Sequence, residues 1–405
     1  MNGITLAGSK PDILLSHMAL YGLLGILEQA GQPGLRACWT AGMNPRPRIT
    51  GDRLTGQLVA DAVLQHARDR QTDSWLKASY VDCAEDLTLK LNLADVNVCF
   101  AGPAGEAHLV VNHGGAVASN AAKSDDEGRI RKAIRELQKD PESAWATVKT
   151  IKFKGRDEVS RGLMSPRQTP VHNWTAFQDA RHATINTLAG VIDHRLAAAL
   201  GEPAYWPTTS RADAPRPDGG ASPFEMAPRN SGAEIMTSRF AKMVDAIVGR
   251  TPNSIIAGLT GNQVEDVDPE SDSRSATGFA TPGPVDTALA WCALWGIANL
   301  PCSPRMHHRV LASAYTRIER TDYLIAAAWR NPWSPGRLRS VLASRQLMMA
   351  ATEAITHVAS SEGAADAWLA GRGVLAVITF AIEVAGSASA PERRALVGQY
   401  HSLSR

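Results

Sequence analysis

A strongly apolar segment lies near the start of the chain, directly after a short β-prone run. The run from Ile4 to Leu6 ends at Gly8 and Pro11, which favour a turn. Apolar side chains then recur at steps of three and four between residues 13 and 29, and this spacing predicts a helix. A helix this apolar must be buried. The sequence therefore predicts a strand, a turn and a helix as the foundation of an N-terminal domain.

The same strand, turn and helix could instead hold a phosphate group. The Walker pattern requires Lys directly after its second Gly, followed by Ser or Thr. Gly3 and Gly8 have the required separation, but Ser9 precedes Lys10 and Pro11 follows it. This order argues against a nucleotide-binding loop.

The charges of the chain nearly balance, with 42 Lys and Arg residues against 40 Asp and Glu residues. Any basic surface must therefore come from local segregation of charge. No apolar run reaches the roughly 18 residues that span a bilayer. The first residues also lack the charge pattern and cleavage site of a signal peptide. We expect a cytoplasmic protein that does not bind a membrane.

The cysteines are scattered, with neither a C-x-x-C pair nor the spacing of zinc ligands. An odd number of thiols in a cytosolic chain favours free, mostly buried side chains. We therefore expect no disulfide framework and no structural zinc. The five cysteines are Cys38, Cys83, Cys99, Cys292 and Cys302.

The pattern of the first half of the chain is mixed. Segments with the apolar spacing of helices and segments with the alternation of strands both occur, and no internal repeat is found. The sequence therefore predicts an irregular mixed α/β domain over residues 1–202. The predicted helices are 58–67, 125–140 and 178–200, and the predicted strands are 88–93, 96–100 and 108–111.

The second half of the chain begins with a loop-rich connecting region over residues 203–284. Pro, Gly and Ser are frequent in 203–228 and 261–284, with a predicted helix over 232–248 between them. Residues 285–405 then predict an all-α C-terminal helical bundle. The predicted fold class is thus α+β. The bundle helices are placed near 285–299, 304–328, 335–360, 364–385 and 391–403.

Catalytic motifs are scarce. The chain contains no G-x-S-x-G elbow, no H-E-x-x-H motif and no Rossmann glycine pattern after a strand. His113, followed by two glycines, is similar to the oxyanion loop of some esterases, but the matching nucleophile is missing. We expect no cofactor, no metal and no enzymatic activity. A hydrolase built around His113 remains an alternative.

Basic residues are segregated in the predicted C-terminal helices. They face few acids and lie near Trp329 and Trp333, an arrangement suited to phosphate binding and base stacking. The alternative is a solvated helix face beside core tryptophans, or a scaffold whose arginines pair with an acidic partner. Two pairs, Arg305 with Arg309 and Arg317 with Arg320, have helical spacing. The arginines are Arg305, Arg309, Arg317, Arg320, Arg330, Arg337, Arg339 and Arg345.

A second basic stretch covers residues 149–167 and is interrupted by glycines. Loops of this kind can bring Lys and Arg to the phosphates of a duplex. Gln168 and Asn173 follow it and have side chains that can contact base edges. A polar surface loop without a ligand is the alternative.

The first thirty residues carry a resemblance to a known family. A strand, a Leu-x-Gly-x-x-Pro turn and an apolar helix ending in Glu-Gln resemble the N-terminus of large subunits of type I CRISPR Cascade, subtype G (formerly U). The matching residues are Leu6, Gly8, Pro11, Leu15, Ala19, Leu20, Gly22, Leu23, Leu24, Glu28 and Gln29.

This resemblance implies a non-catalytic subunit of an RNA-guided surveillance complex. Such a subunit would recognise the protospacer-adjacent motif on double-stranded DNA and stabilise the displaced single strand, while base pairing with a guide RNA reads the remaining sequence. Its partners would be a guide RNA-containing complex with CRISPR backbone subunits and a helicase–nuclease recruited after target binding.

Candidate contacts on this hypothesis follow from residue type and local charge. The candidates for contacts with duplex phosphates are Lys149, Lys152, Lys154, Arg156 and Arg161. The candidates for recognition of the motif are Asn112, His113, Asn120, Gln168 and Asn173. The candidates for binding the displaced strand are Arg305, Arg309, Arg317, Arg337 and Arg339.

Overall fold

The N-terminal residues form a small antiparallel sheet that carries two helices. The strand order is β1-β3-β2, and Ile4 and Ala37 both pair with Ile49 in the central strand. The helix predicted from the apolar spacing is confirmed. These elements are β1 (Asn2–Thr5), α1 (Leu14–Gln29), β2 (Arg36–Trp39), β3 (Pro47–Gly51) and α2 (Gly56–Arg68).

The coordinates are a computed structural model. It describes residues 2–71, 96–100, 106–111, 120–141, 150–153, 186, 190–200, 240–267, 272–274, 279–303, 311–387 and 390–403.

Helix α1 is the centre of the core. Every residue from Leu14 to Leu27 is buried, which explains why the helix is apolar on all sides. Its glycines allow a close crossing with a helix far along the chain: a Cβ on Gly22 would overlap the backbone carbonyl of Cys292. Likewise, a Cβ on Gly296 would overlap the carbonyl of Met18. Small residues therefore set the shortest distance between the two backbones.

A second sheet confirms the mixed α/β character of the first half. Its order is β4-β5-β6, with an antiparallel pair and then a parallel pair. Parallel strands need a crossover connection, and a helix lies in it. The elements are β4 (Val96–Phe100), β5 (Glu106–Val111), α3 (Asn120–Leu137) and β6 (Thr150–Phe153). The predicted strand 88–93 lies outside the described residues.

Short helices and a hairpin lead to the second half of the core. Thr251 caps one helix by accepting a hydrogen bond from the Ser254 N–H, and Asp286 caps another through the Ala288 N–H. A β-hairpin occurs in the predicted loop 261–284. The elements are α4 (Val191–Leu200), α5 (Ala241–Val248), α6 (Pro252–Thr260), β7 (Asp272–Arg274), β8 (Ala280–Pro282) and α7 (Thr287–Gly296).

The C-terminal residues contain a five-stranded antiparallel sheet. Its order is β11-β12-β13-β14, and β15 pairs with the first half of β13 along the edge that β14 uses farther on. The elements are β9 (Cys302–Ser303), β10 (Leu311–Ala312), β11 (Tyr315–Ile318), β12 (Thr321–Trp329), α8 (Pro335–Leu342), α9 (Arg345–Thr356), α10 (Ala364–Ala370), β13 (Val374–Ser387), β14 (Ala390–Ala395) and β15 (Gln399–Ser402).

The prediction of an all-α C-terminal bundle is therefore wrong. The helices near 285–299 and 335–360 are present in part, but strands occupy much of 304–328, the second part of 364–385 and most of 391–403. The helical face proposed for Arg317 and Arg320 does not exist, because Arg317 lies in β11 and Arg320 in the turn after it. Strand β12 is buried from Leu324 to Ala327, so it lacks the polar alternation that marks a half-exposed strand.

The sheet lies between two groups of helices. On one face, the Phe380 ring lies 5.8 Å from the His17 ring of α1. On the other face, the Thr316 hydroxyl lies 3.4 Å from the Thr352 hydroxyl of α9. One continuous hydrophobic core includes α1, α7 and the sheet, so the beginning and the end of the chain are packed together.

Candidate nucleic-acid interface

Two of the candidate arginines are engaged within the chain. Arg317 lies 3.6 Å from the carboxylate of Asp322, its cross-strand neighbour in β12. Arg339 donates hydrogen bonds of 2.7 and 2.9 Å to the two carboxylate oxygens of Glu28 at the end of α1. In both contacts a carboxylate offsets the positive charge of an arginine that was predicted to bind the displaced DNA strand.

Three other arginines, two of them exposed and Arg372 half-buried, form a group near the start of β13. We call Arg330, Arg337 and Arg372 the arginine cluster. The Arg337 guanidinium donates a 2.8 Å hydrogen bond to the backbone carbonyl of Arg372. Within the described ranges, none of the three makes an ion pair with a carboxylate, and Arg330 and Arg337 are exposed. The cluster therefore presents positive charge that the described part of the chain does not neutralise.

Two guanidinium groups of the cluster lie over tryptophan rings. Arg372 lies 3.4 Å from the centre of the Trp368 ring, and its guanidinium also donates to the Trp368 carbonyl at 3.0 Å. Arg337 lies 5.6 Å from the centre of the Trp333 ring. Cation–π contacts of this kind are favourable by about 0.5–1 kcal/mol at exposed sites. These contacts restrict the conformations of the two arginine side chains but do not neutralise their charges.

Trp329 and Trp333 are core residues. Both are fully buried, and their rings stack with centres 4.4 Å apart. The Trp329 indole donates to the Ala37 carbonyl at 2.7 Å, and the Trp333 indole donates to the Arg372 carbonyl at 3.1 Å. The prediction that these rings stack on bases is wrong, and the core interpretation is confirmed. The two rings flank the segment that carries Arg330.

A cleft of about 510 Å³ opens beside Arg330. It lies between the turn after β12, helix α10 and the start of β13. Its lining is mainly apolar or small, and none of the described residues that line it is acidic. The lining residues are Arg330, Asn331, Ala367, Ala370, Gly373, Val374, Leu375 and Leu403.

Gly373 shapes one wall of this cleft. Its φ of +84° lies in the left-handed region, which favours glycine. A Cβ at this position would lie 3.3 Å from the Asn331 side-chain nitrogen. The absence of a side chain thus leaves room for the Asn331 amide at the wall.

Of the other candidate residues, the structure describes the positions of two. Asn120 is the first residue of α3, and Lys152 lies on β6 in register with His108 of β5. The structure does not bring these two positions to the arginine cluster by any described contact. The remaining candidates lie outside the described residues: Asn112, His113, Lys149, Lys154, Arg156, Arg161, Gln168, Asn173, Arg305 and Arg309.

Sequence reasoning missed two residues of this region. These are Asn331 and Arg372, and Arg372 stands between two glycines in a turn that ends a helix. A cation flanked by glycines at a helix end is a local signal for an exposed backbone turn. Only the fold, however, brings this turn to Arg330.

No protein-family model, curated protein or solved structure matches this chain. None of the helices in the described ranges combines the length and apolarity needed to cross a membrane. Within the same ranges, no three His, Cys, Asp or Glu residues are grouped so that they could hold a metal ion.

Proposed function

We propose that this chain is a cytoplasmic, non-catalytic nucleic-acid-binding subunit of an RNA-guided surveillance complex. In this role it recognises a short motif on double-stranded DNA and holds the displaced strand. The observation that carries the binding role is the arginine cluster beside the cleft.

Charge and geometry support phosphate binding at the cluster. Arginine presents five N–H donors in a planar fork that matches phosphate oxygens, and it stays charged at all physiological pH values. Arg330 and Arg337 are exposed, and Arg337 contacts the backbone of Arg372. Two exposed cations with a third, half-buried one suit successive phosphates of a single strand better than one isolated anion.

The assignment to an RNA-guided complex depends on the resemblance of the first thirty residues. Most of the matching positions lie in α1, including Leu20, Gly22 and Leu24, and all three are buried. They therefore belong to the core of the fold rather than to a binding surface. The resemblance supports membership of a complex, whereas the cluster supports contact with the nucleic acid.

The test is the salt dependence of binding. Fluorescence anisotropy with labelled single-stranded and duplex DNA should give affinities that fall steeply with salt, because phosphate contacts release counterions. A triple variant, Arg330→Gln, Arg337→Gln and Arg372→Gln, should reduce the slope for single strands by about 2, at about 0.7 per lost phosphate contact.

Arg53→Gln is the matched control, because it removes one exposed arginine from the turn before α2. We expect its slope to equal that of the parent protein. Binding that does not change with salt, or a triple variant that binds as well as the Arg53→Gln control, would contradict the proposal. Copurification with RNA and backbone subunits tests membership of the complex separately.

A further inference from the structure

The cleft beside the arginine cluster is not explained by phosphate binding alone. We infer that it accepts one unpaired base of the bound strand, with the phosphate of that nucleotide at Arg330. This inference rests on the proposed function, since it specifies which part of a nucleic acid this surface receives.

The size and lining of the cleft support a base. Its volume of about 510 Å³ lies within the range of small-molecule sites, about 300–1,000 Å³. Ala367, Ala370 and Leu375 offer an apolar surface for the face of a ring. Pockets that receive an extruded base hold its ring between aromatic or apolar side chains.

The polar groups at the cleft support the same ligand. Asn331 carries an amide with both a donor and an acceptor, the combination that base edges require. Arg330 lines the same cleft, and within the described ranges its guanidinium makes no hydrogen bond or ion pair. A ligand that has a planar ring with an anion attached to it can bind the Asn331 amide and the Arg330 guanidinium at the same time.

The backbone of Gly373 keeps this arrangement open. Because its Cα carries no side chain, the Asn331 amide lies against it without a clash. The neighbouring Arg372 carbonyl accepts hydrogen bonds from the Trp333 indole and the Arg337 guanidinium. The wall of the cleft is thus held in place before a ligand binds.

Oligothymidylate and an abasic oligonucleotide of the same length test the inference. Both carry the same phosphates, but only the first carries bases. The parent protein should bind oligothymidylate about tenfold more tightly, because one base buries apolar surface against the aliphatic lining of the cleft. This comparison needs no variant, so it does not depend on the folding of one.

Ala367→Leu narrows the cleft without a change of charge and without adding an aromatic ring on which a base could stack. It should weaken oligothymidylate binding about tenfold and leave abasic binding unchanged. Arg330→Gln should weaken both. Ala364→Leu is the matched control, because Ala364 is an exposed residue of the same helix that does not line the cleft.

The outcomes separate the two proposals. If the protein binds both oligonucleotides equally and Ala367→Leu changes neither affinity, the base-binding cleft is wrong and the proposed function stands. If Ala367→Leu weakens both equally, the cleft contributes no base contact and the inference is again wrong. If neither oligonucleotide binds, the proposed function itself fails.

Discussion

Arg339 and Glu28 form a two-pronged ion pair that joins α8 to the last turn of α1, with N–O distances of 2.7 and 2.9 Å. Arg195 of α4 approaches the same carboxylate at 3.4 Å. One carboxylate therefore connects three helices from distant parts of the sequence. The hydrogen bond from Arg339 is the main cause that lowers the pKa of Glu28, while partial burial opposes it.

Arg339→Gln should destabilise the protein without weakening DNA binding. Both side chains are partly exposed, at 24% for Arg339 and 36% for Glu28, so water screens the pair. We expect a loss of about 1 kcal/mol in the free energy of unfolding. Chemical denaturation measures the loss, and anisotropy with labelled DNA measures the affinity.

The pH dependence of this loss has a definite sign. Because the pKa of Glu28 is lower in the folded state, its contribution is present above the unfolded value of about 4.3 and disappears as the pH falls through the folded value. The difference between Arg339→Gln and the parent protein should therefore shrink in acid. Arg345→Gln, an exposed residue at the start of α9, is the control with an expected change within about 0.5 kcal/mol.

Gly22→Ala should be among the most destabilising single substitutions in the chain. The added methyl group would overlap the Cys292 carbonyl, which is backbone and cannot rotate away as a side chain could. We expect a loss of at least about 3 kcal/mol in the free energy of unfolding.

Gly128→Ala is the matched control. Gly128 is an exposed residue of α3, and a Cβ added there would meet no other atom within 4 Å. It should stabilise the protein by about 0.5–1 kcal/mol, the usual gain from Gly to Ala within a helix. Equal effects at the two glycines would mean that α1 and α7 can separate without cost.

The sequence predicted the buried helix and a helix near 285–299, but not that these two helices pack against each other. The apolar spacing of α1 is a local property, and it was sufficient to place the helix and its burial. Cys292 and Gly296, which contact it, lie more than 250 residues away along the chain. No local pattern specifies such a pairing.

The C-terminal sheet was missed for a related reason. Ala326 to Ala328 favour a helix by intrinsic propensity, yet they lie in β12 between β11 and β13. A strand covered on both faces is continuously apolar, so its sequence resembles that of a buried helix. In the same way, residue type identified Arg337 as a candidate but could not separate it from Arg339, because the Glu28 contact depends on the fold.

The buried pair of Arg70 and Asp193 should be far more sensitive than Arg339. Arg70 donates two hydrogen bonds of 2.8 Å to the Asp193 carboxylate, and the two side chains are only 2% and 6% exposed. Arg70→Met removes the cation and leaves a buried carboxylate, which costs about 3–5 kcal/mol. Thermal and chemical unfolding measure the loss.

A double variant tests whether the pair or the packing matters. Arg70→Met with Asp193→Leu removes both charges, and it should recover most of the stability that Arg70→Met alone loses. Lys139→Gln breaks the fully exposed pair with Glu136 and should leave the stability unchanged, because solvent screens that pair. A double variant as unstable as the single one would show that the charges are not the source of the loss.

His17 should make the protein less stable in mild acid. Its ring is buried in α1, where Nε2–H donates to the Pro11 carbonyl at 2.8 Å, and Nδ1 has no partner among the described residues. Burial lowers the pKa of His17 to about 4. The unfolded chain, with a pKa near 6.5, therefore binds a proton in this range that the folded protein does not.

The stability contributed by neutral His17 is present above about pH 6.5 and is lost as the pH falls toward 4. One proton corresponds to a slope of about 1.4 kcal/mol per pH unit. His66 is also buried, and burial followed by the charge of Arg70 lowers its pKa, so it adds a slope of the same sign. Unfolding free energies between pH 7 and 4.5 should therefore fall less steeply in His17→Met, by about one proton. Parallel curves for His17→Met and the parent protein would show that His17 takes up its proton equally in both states.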